Sequence, residues 1–334
     1  MVRRVWVVFC VLLGLAGLGL SSAEPPGSVA YEPAASPAST TPFSAGIVAG
    51  GGGTSGWEMT ALHRLKASVV RDEYSLTTPI ADLQAAAQRV KDASGDGSGR
   101  LNLLVSEAFG SAADAVKVGS IAKALGPGLL SAIELGNESF DPSRAYLHAL
   151  FCKASLAEAA GTGVPIVCQF QGGPAWQQGL FSGGTFVPDG WSLHIYPYDG
   201  QETTWPTLLE NEIDDMRARG VLAPIYITET GVPNDDGRTL HRPPGGPECT
   251  GSPTRGYTPD EAAAIMTNFY TQIAPGGPFG GYIRSALSYQ ASDQRASGET
   301  NCAENYFGVL RSDQVTTKGA YTTAIESQLS RWRG

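Results

Sequence analysis

The 334-residue sequence contains little positive charge and few metal-binding side chains. Only 23 lysines and arginines stand against 32 aspartates and glutamates, which gives a formal net charge of −9 and a pI near 5.0. So few cations cannot neutralise many phosphates, which argues against nucleic-acid binding. Only four histidines occur, with no His-x-His pair. This scarcity argues against a metal-dependent hydrolase, so we expect no metal ion.

Two sequence motifs of other chemistries are also missing. Without Cys-x-x-Cys a structural zinc site is not expected, and without Gly-x-Ser-x-Gly a serine esterase would have no nucleophile elbow. Four of the five cysteines lie beyond the N-terminal apolar segment, and an even number permits disulfides in an exported chain. Cys249 and Cys302 lie in loops rich in glycine, proline and asparagine, so we expect a bridge between them. Cys152 and Cys168, in a predicted helix and strand, are open to pairing or to a role as buried thiols.

Only one long hydrophobic run occurs, and it lies near the N-terminus. Residues 5–20 are almost wholly apolar, follow Arg3 and Arg4, and precede a small-residue segment ending at Ala23. This pattern predicts a secretory signal peptide over 1–23, a secreted mature protein and no membrane segment after cleavage; an uncleaved anchor is the alternative. Residues 24–43, rich in Pro, Ala, Ser and Thr, predict a linker. Residues 44–334 then form one domain, and we expect a monomer.

Strand-like and helix-like stretches alternate through this domain. Eight apolar runs read as buried parallel strands: 44–50, 68–74, 101–107, 131–138, 165–170, 190–197, 224–232 and 284–290. Helical patterns lie between most of them: 56–65, 80–93, 113–125, 143–161, 204–220, 259–273 and 318–332. The connection 171–189 is Gly-rich and shows no clear helix. Eight such units predict an α/β fold of the (β/α)8 TIM-barrel type, with a doubly wound sheet as the alternative.

Acidic residues end two of the predicted strands. Strand four ends at Glu138 and strand seven at Glu229. Both architectures build their sites at the carboxyl ends of strands, and a carboxylate after an apolar run is costly unless it is paired or functional. Capping of the next helix is the alternative for either residue alone. Two carboxylates across one barrel mouth are the pair that glycoside hydrolysis requires, one protonated and one ionised.

The residues around both acids carry a resemblance to a known clan. Asn137-Glu138 after strand four, and Ile-Thr-Glu-x-Gly around Glu229, resemble the retaining β-glycosidases of glycoside hydrolase clan A. The spacing Glu134-x-x-Asn137-Glu138 is similar to the xylosidase- and cellulase-like members, such as families 39 and 5. This resemblance implies that Glu138 is the acid/base, that Glu229 is the nucleophile, and that Asn137 binds the sugar 2-hydroxyl.

Other strand ends extend the resemblance. Arg71 matches the clan's arginine beside the nucleophile, where a cation favours the ionised carboxylate; pairing with a neighbouring acid is the alternative. His194 and Tyr196 match the His-x-Tyr of strand six, which implies substrate contact and a hydrogen bond to the nucleophile. Three departures occur. Gly136 and Ser139 replace Trp and Pro around the Asn-Glu pair, and Tyr289 stands where strand eight of the clan presents a Trp under the sugar. Tyr289 is the candidate for that platform here.

The remaining expectations concern substrate and rival functions. Trp176 is a candidate for stacking on a sugar face. We expect a carbohydrate substrate, retention at a β-glycosidic bond, and no cofactor. One rival is a dinucleotide-binding oxidoreductase, because Gly51, Gly53 and Gly56 satisfy G-x-G-x-x-G and Asp72 follows at nearly the distance of a ribose-binding acid. The other is a carbohydrate-binding barrel with impaired catalysis, which the departures from the clan motivate.

Overall fold

The chain folds into a closed barrel of eight parallel strands that neighbour one another in chain order. A computed structural model describes residues 42–50, 54, 56, 58–105, 109–138, 141–235, 256–293 and 305–333. The strands are β1 Ser44–Val48, β2 Val69–Tyr74, β3 Arg100–Val105, β4 Leu130–Leu135, β5 Ile166–Gln169, β6 Gly190–His194, β7 Ile225–Thr230 and β8 Ile283–Ser288. This confirms the predicted (β/α)8 barrel in place of a doubly wound sheet.

A helix follows each strand. The helices are α1 Met59–Leu65, α2 Ile80–Ala93, α3 Ala112–Leu125, α4 Ala145–Ala159, α5 Gly173–Leu180, α6 Trp205–Ala218, α7 Pro259–Ile273 and α8 Ala320–Arg331. Their buried faces pack on the outward faces of the strands in one continuous apolar core. None of the helices in the described residues is long and apolar enough to span a bilayer.

The helix α5 corrects the expectation of an irregular fifth connection. Glycines surround it and conceal its pattern, but Pro174 lies in its first turn, where a missing N–H costs nothing. Trp176 and Leu180, four residues apart, then bury one apolar face.

The position of Phe43 also differs from the sequence prediction. It was predicted to end the linker, but it is buried edge-on against Trp332, with ring centroids 5.6 Å apart.

Cys152 of α4 and Cys168 of β5 are joined in a disulfide, with Cα atoms 6.2 Å apart. The sequence left open whether these two cysteines pair. The bridge fastens the outer helix to the strand that it covers. Cys249 and Cys302, expected to pair with each other, lie outside the described residues, as do the signal segment, residues 24–41 of the linker, and Gly51 and Gly53.

Two buried carboxylates hold the segment after β1 in place. Glu58 accepts a hydrogen bond from the N–H of Gly50 through Oε2 (2.5 Å) and one from the hydroxyl of Ser292 through Oε1 (2.8 Å). Asp72 accepts both the N–H (2.9 Å) and the hydroxyl (2.5 Å) of Thr54. Asp72 is only 1% exposed. This internal role and the closed barrel together contradict the reading of Asp72 as the ribose-binding acid of a dinucleotide fold.

The disulfide predicts a specific cross-linked peptide. Trypsin cleaves after Arg144, Lys153 and Arg217, which separates Cys152 from Cys168. An unreduced digest should therefore contain peptides 145–153 and 154–217 joined in one species, and reduction should release them. Mass spectrometry of the two digests makes this measurement. Closing a 16-residue separation should also stabilise the fold by about 3 kcal/mol. Free peptide 145–153 in the unreduced digest would contradict the bridge.

Glu58 predicts a pH dependence of stability. Burial raises the pKa of Glu58 from its usual 4.5 to about 7, although the hydrogen bonds from Gly50 and Ser292 lower it. The pKa of Glu58 is higher in the folded state than in the unfolded state. The stability that this carboxyl group contributes is therefore fully present below pH 4.5 and is lost as the pH rises through 7. Relative to Glu58→Gln, the wild type should lose about 3 kcal/mol of unfolding free energy between pH 4 and pH 8. Equilibrium denaturation across this range measures it, since other groups titrate equally in both proteins. A constant difference would refute the assignment.

Candidate active site

A buried arginine lies at the centre of the barrel mouth. Arg71 of β2, whose side chain is 3% exposed, donates from Nε (2.6 Å) and Nη2 (3.1 Å) to both carboxylate oxygens of Glu134 on β4. Its Nη1 donates to Oε1 of Glu229 at the end of β7, 2.6 Å away. The hydroxyl of Thr228 adds a 2.8 Å hydrogen bond to Glu134. Arg71 therefore does not pair with its sequence neighbours but joins three strands across the barrel.

Glu229 is held by donors on both of its oxygens. Arg71 binds Oε1, and the hydroxyl of Tyr196 donates to Oε2 at 2.5 Å. Nδ1 of His194 lies 3.5 Å from the same Oε2. Burial alone raises the pKa of Glu229, but the positive charges of His194 and Arg71 and the hydrogen bond from Tyr196 outweigh it and leave the pKa lowered. Glu229 is therefore held ionised.

His194 lies between the two acids at the strand ends. Its Nδ1 is 3.1 Å from Oε1 of Glu138, and its backbone N–H donates to Oε1 of Gln171 at 2.7 Å. Burial lowers the pKa of His194, but the charge of Glu229 and the hydrogen bond to Glu138 outweigh burial and raise it. The two carboxylates therefore favour the protonated form of His194. His194 on β6 is the register partner of Glu229 on β7, which accounts for the contact between their side chains.

Glu138 lies just beyond β4 and turns toward the opening. Gly136 has φ +82° and Glu138 has φ +49°, so the chain leaves the strand through two left-handed residues. The side chain of Glu138 is 28% exposed, against 11% for Glu229. One oxygen of each carboxylate and a nitrogen of His194 all lie within 4.8 Å of one another. Three such ligands could hold a metal ion, although the Arg71 guanidinium already supplies positive charge beside them.

Asn137 is oriented by the same arginine. Its Oδ1 accepts a 2.9 Å hydrogen bond from Nη2 of Arg71. An amide whose oxygen is fixed in this way presents its NH2 group elsewhere as a donor. The arrangement suits donation to a hydroxyl of a molecule lying between the two carboxylates.

Aromatic rings form one wall beside Glu229. Tyr289, which follows β8, lies 6.3 Å from the ring of Tyr196 and 5.6 Å from that of Phe307, centroid to centroid. Lys318 fixes the loops behind this wall, because its buried ammonium donates to Asp293 (2.6 Å) and to the carbonyls of Asn234 (2.8 Å) and Tyr306 (2.9 Å). The wall therefore has a rigid support, and Tyr289 lies where the resemblance expects a platform.

The structure brings together six of the candidate residues but separates Trp176 from them. Arg71, Asn137, Glu138, His194, Tyr196 and Glu229 form one hydrogen-bonded group. Trp176 is fully buried in α5, with its ring 5.6 Å from that of His148. The expectation that it stacks on a sugar is wrong, because the apolar face of the short helix takes it into the core.

Two contributors were not assigned a role from the sequence. Glu134 was noted only for its spacing, yet it is fully buried and accepts both hydrogen bonds that orient Arg71. A carboxylate inside an apolar strand requires a cation, and this was the available signal. Gln171 fixes the backbone of His194 from the β5–α5 connection. No local pattern marks Gln171, because its role depends on a contact between neighbouring strands.

Comparison with known proteins finds solved structures of the same fold. No protein-family model matches the sequence, and no curated protein matches it either. The chain is similar to a glycoside hydrolase family 17 β-1,3-glucanosyltransferase from Rhizomucor miehei, with TM-score 0.53 and 15% identity over 83% of this chain and 96% of that one. A mannanase catalytic domain from Streptomyces sp. SirexAA-E gives TM-score 0.52 and 15% identity over 86% and 85%. An α-L-arabinofuranosidase from Thermotoga maritima gives 0.55 and 12% over 88% and 71%. At these identities the likeness establishes a shared fold: the chain has the (β/α)8 barrel of these glycoside hydrolases.

Proposed function

We propose that the protein is a secreted glycoside hydrolase that cleaves a β-glycosidic bond with retention of configuration. The observation that carries this proposal is the close approach of Glu138 and Glu229, with oxygens within 4.8 Å. Retaining enzymes separate their two carboxyl groups by about 5–5.5 Å, whereas inverting enzymes need about 6.5–9.5 Å to admit a water. The short separation therefore supports double displacement. Export rests on the N-terminal sequence pattern alone.

Glu229 has the properties of the nucleophile. Its lowered pKa keeps it ionised at neutral pH, and donors on both oxygens fix its direction. Attack on the anomeric carbon would form a covalent glycosyl ester at one oxygen. The negative charge of Glu229 then disappears, while Arg71 remains paired with Glu134 and is not left as an isolated buried cation.

Glu138 fits the acid/base role. Its greater exposure allows proton exchange with water in the mouth, and it lies across from the nucleophile. In the first step the bond to the leaving oxygen breaks as that oxygen takes the proton of Glu138. In the second step water attacks the anomeric carbon, gives its proton to Glu138 and releases Glu229. Asn137, oriented by Arg71, would hydrogen-bond the sugar 2-hydroxyl.

A sugar-binding barrel without turnover is the second candidate. Gly136, Ser139 and Tyr289 motivate it, because they stand where the resembling enzymes have Trp, Pro and a second Trp. The strand-eight Trp of those enzymes lies under the sugar, so its replacement changes how a sugar ring would be held. The two acids, their short separation and the ionised Glu229 weigh against this reading.

Azide rescue distinguishes the two carboxylates. Glu138→Ala should slow hydrolysis of an unactivated β-glycoside by about 10²–10⁴-fold, because proton transfer is lost. An activated aryl β-glycoside should still form the glycosyl ester, and azide should then give a β-glycosyl azide. Glu229→Ala should have no turnover by double displacement and should give no β-azide. Chromatography and NMR of the products make the assignment.

A panel of aryl glycosides and polysaccharides is needed first to find a cleaved substrate. Glu212→Ala is a suitable control, since this carboxylate lies away from the mouth and accepts a hydrogen bond from Gln177. If the panel is bound but never cleaved, the non-catalytic barrel is the better reading. Unchanged activity in either catalytic variant would end the assignment of the pair.

Tyr196→Phe tests how Glu229 is kept ionised. The change removes the hydroxyl that donates to Oε2, so it should raise the pKa of Glu229. The acidic limb of the kcat/KM profile should therefore move to higher pH. Activity at neutral pH should fall about tenfold, in line with the loss of a hydrogen bond to a charged group. Tyr282→Phe, which loses a bond to Arg217 on the outer helices, should leave the profile unchanged. An unshifted limb in Tyr196→Phe would contradict the proposed contact.

A further inference from the structure

One acidic side chain at the barrel mouth is not used by the proposed mechanism. Glu73 is the last residue but one of β2, two positions beyond Arg71. Successive residues of a strand point to opposite faces, so residues two apart share a face. Glu73 therefore lies on the same face of the sheet as Arg71, about 6.6 Å further along the strand toward the mouth.

The contacts of the neighbouring residues support this direction. Asp72 and Tyr74 both reach Thr54 in the segment after β1. Asp72 accepts the hydroxyl of Thr54 at 2.5 Å, and the hydroxyl of Tyr74 lies 2.5 Å from the same oxygen. Asp72 and Tyr74 thus share one face of β2, which leaves Arg71 and Glu73 on the other. Because Arg71 contacts the carboxylates inside the barrel mouth, Glu73 faces the mouth as well.

The layer that contains Glu73 leaves room beside its carboxylate. Arg71 pairs with Glu134 of β4, and Gly136, two residues beyond Glu134, has no side chain to fill the next layer. Glu73 itself is half-buried. A carboxylate has about four acceptor sites, so Glu73 keeps the capacity to bind a sugar hydroxyl beside its contacts within the protein.

The contacts of Arg71 locate the sugar that is to be cleaved. Its guanidinium binds both Glu229, the proposed nucleophile, and Asn137, the proposed partner of the 2-hydroxyl. A sugar whose anomeric carbon faces Glu229 and whose 2-hydroxyl faces Asn137 therefore lies over Arg71. C3 is the next ring carbon beyond C2, so its hydroxyl points away from the cleaved bond. Glu73, on the strand of Arg71 and one layer nearer the mouth, is the acceptor beside that part of the ring.

We propose that Glu73 is a substrate-binding residue that accepts a hydrogen bond from the 3-hydroxyl of the sugar bound over Arg71. The inference rests on the proposed function, from which it takes the orientation of the sugar. A carboxylate accepts hydrogen bonds and a sugar hydroxyl donates them, so the two groups match. The site then selects sugars with a free 3-hydroxyl. It excludes cleavage inside 1,3-linked chains, because there the 3-oxygen carries the next sugar and has no proton to donate.

Sugars that lack single hydroxyls test the proposal by isothermal titration of the full chain. The probes are the methyl β-glycosides of glucose, galactose and xylose, which all carry an equatorial 3-hydroxyl. The one that binds most tightly is compared with its 3-deoxy and 4-deoxy analogues. The 3-deoxy analogue should bind roughly 10- to 100-fold more weakly than its parent, as expected for a lost hydrogen bond to a charged group. Glu73→Ala should weaken the parent by the same factor and leave affinity for the 3-deoxy analogue unchanged.

The 4-deoxy analogue and two further variants are the controls. Glu73→Ala should weaken binding of the 4-deoxy analogue as much as that of the parent, because both retain the 3-hydroxyl. Glu210→Ala removes an exposed carboxylate from α6 and should bind all three sugars like the wild type. Glu73→Gln keeps the size of the side chain and should give a smaller loss than alanine. It takes the place of Glu73→Ala if circular dichroism shows the alanine variant to be unfolded.

Affinity is measured rather than turnover, so the outcome for Glu73 is separate from the outcome for hydrolysis. A protein that binds with this pattern but cleaves nothing would reject the proposed hydrolase and keep the role of Glu73. Equal losses for the 3-deoxy and 4-deoxy analogues in Glu73→Ala, or no loss for the parent, would overturn the inference. So would the absence of binding by every parent glycoside, or cleavage inside a β-1,3-glucan chain by the wild type.

Discussion

The buried guanidinium of Arg71 is the interaction on which the rest of the site depends. It is enclosed by two carboxylates, Glu134 and Glu229, with hydrogen bonds of 2.6–3.1 Å. Removing a partner from a buried ion pair costs about 3–5 kcal/mol, because a charge is left uncompensated in the interior. The same contacts that hold β2, β4 and β7 together therefore also set the charge of the proposed nucleophile, so barrel stability and chemistry cannot be separated at this position.

The arginine also makes the two acids unequal. Arg71 contacts Glu229 directly, whereas Glu138 is contacted by the ring of His194. One carboxylate is thus buried among cations and hydroxyl donors, and the other lies in the more exposed part of the mouth. Two acids with different surroundings are what double displacement requires, since one must remain ionised while the other gains and loses a proton. The asymmetry is fixed before any sugar arrives, which is the arrangement expected of electrostatic preorganisation.

The fold and the central residues follow from local patterns in the sequence. The apolar strand runs predict the barrel, and the acids that end two of them identify Glu138 and Glu229. Contacts that depend on register or on helix packing are not visible in this way. Glu134 pairs with Arg71 only because β2, β3 and β4 are aligned across the barrel. Trp176 was predicted to lie in a loop, because the glycines around it obscure the pattern of the helix that buries it. The Cys152–Cys168 bridge likewise requires α4 to lie over β5.

An apolar layer lies directly below the ion pairs of the site. Alternate strand residues share a face, so a residue two positions before a site residue lies one layer below it. Val69 precedes Arg71 in this way, and Ala132 precedes Glu134. Val69 packs with Val48 and Leu287, and Ala132 packs with Val167 and Tyr226. These two clusters place a low-dielectric floor under the ion pairs, which strengthens their effect on Glu229.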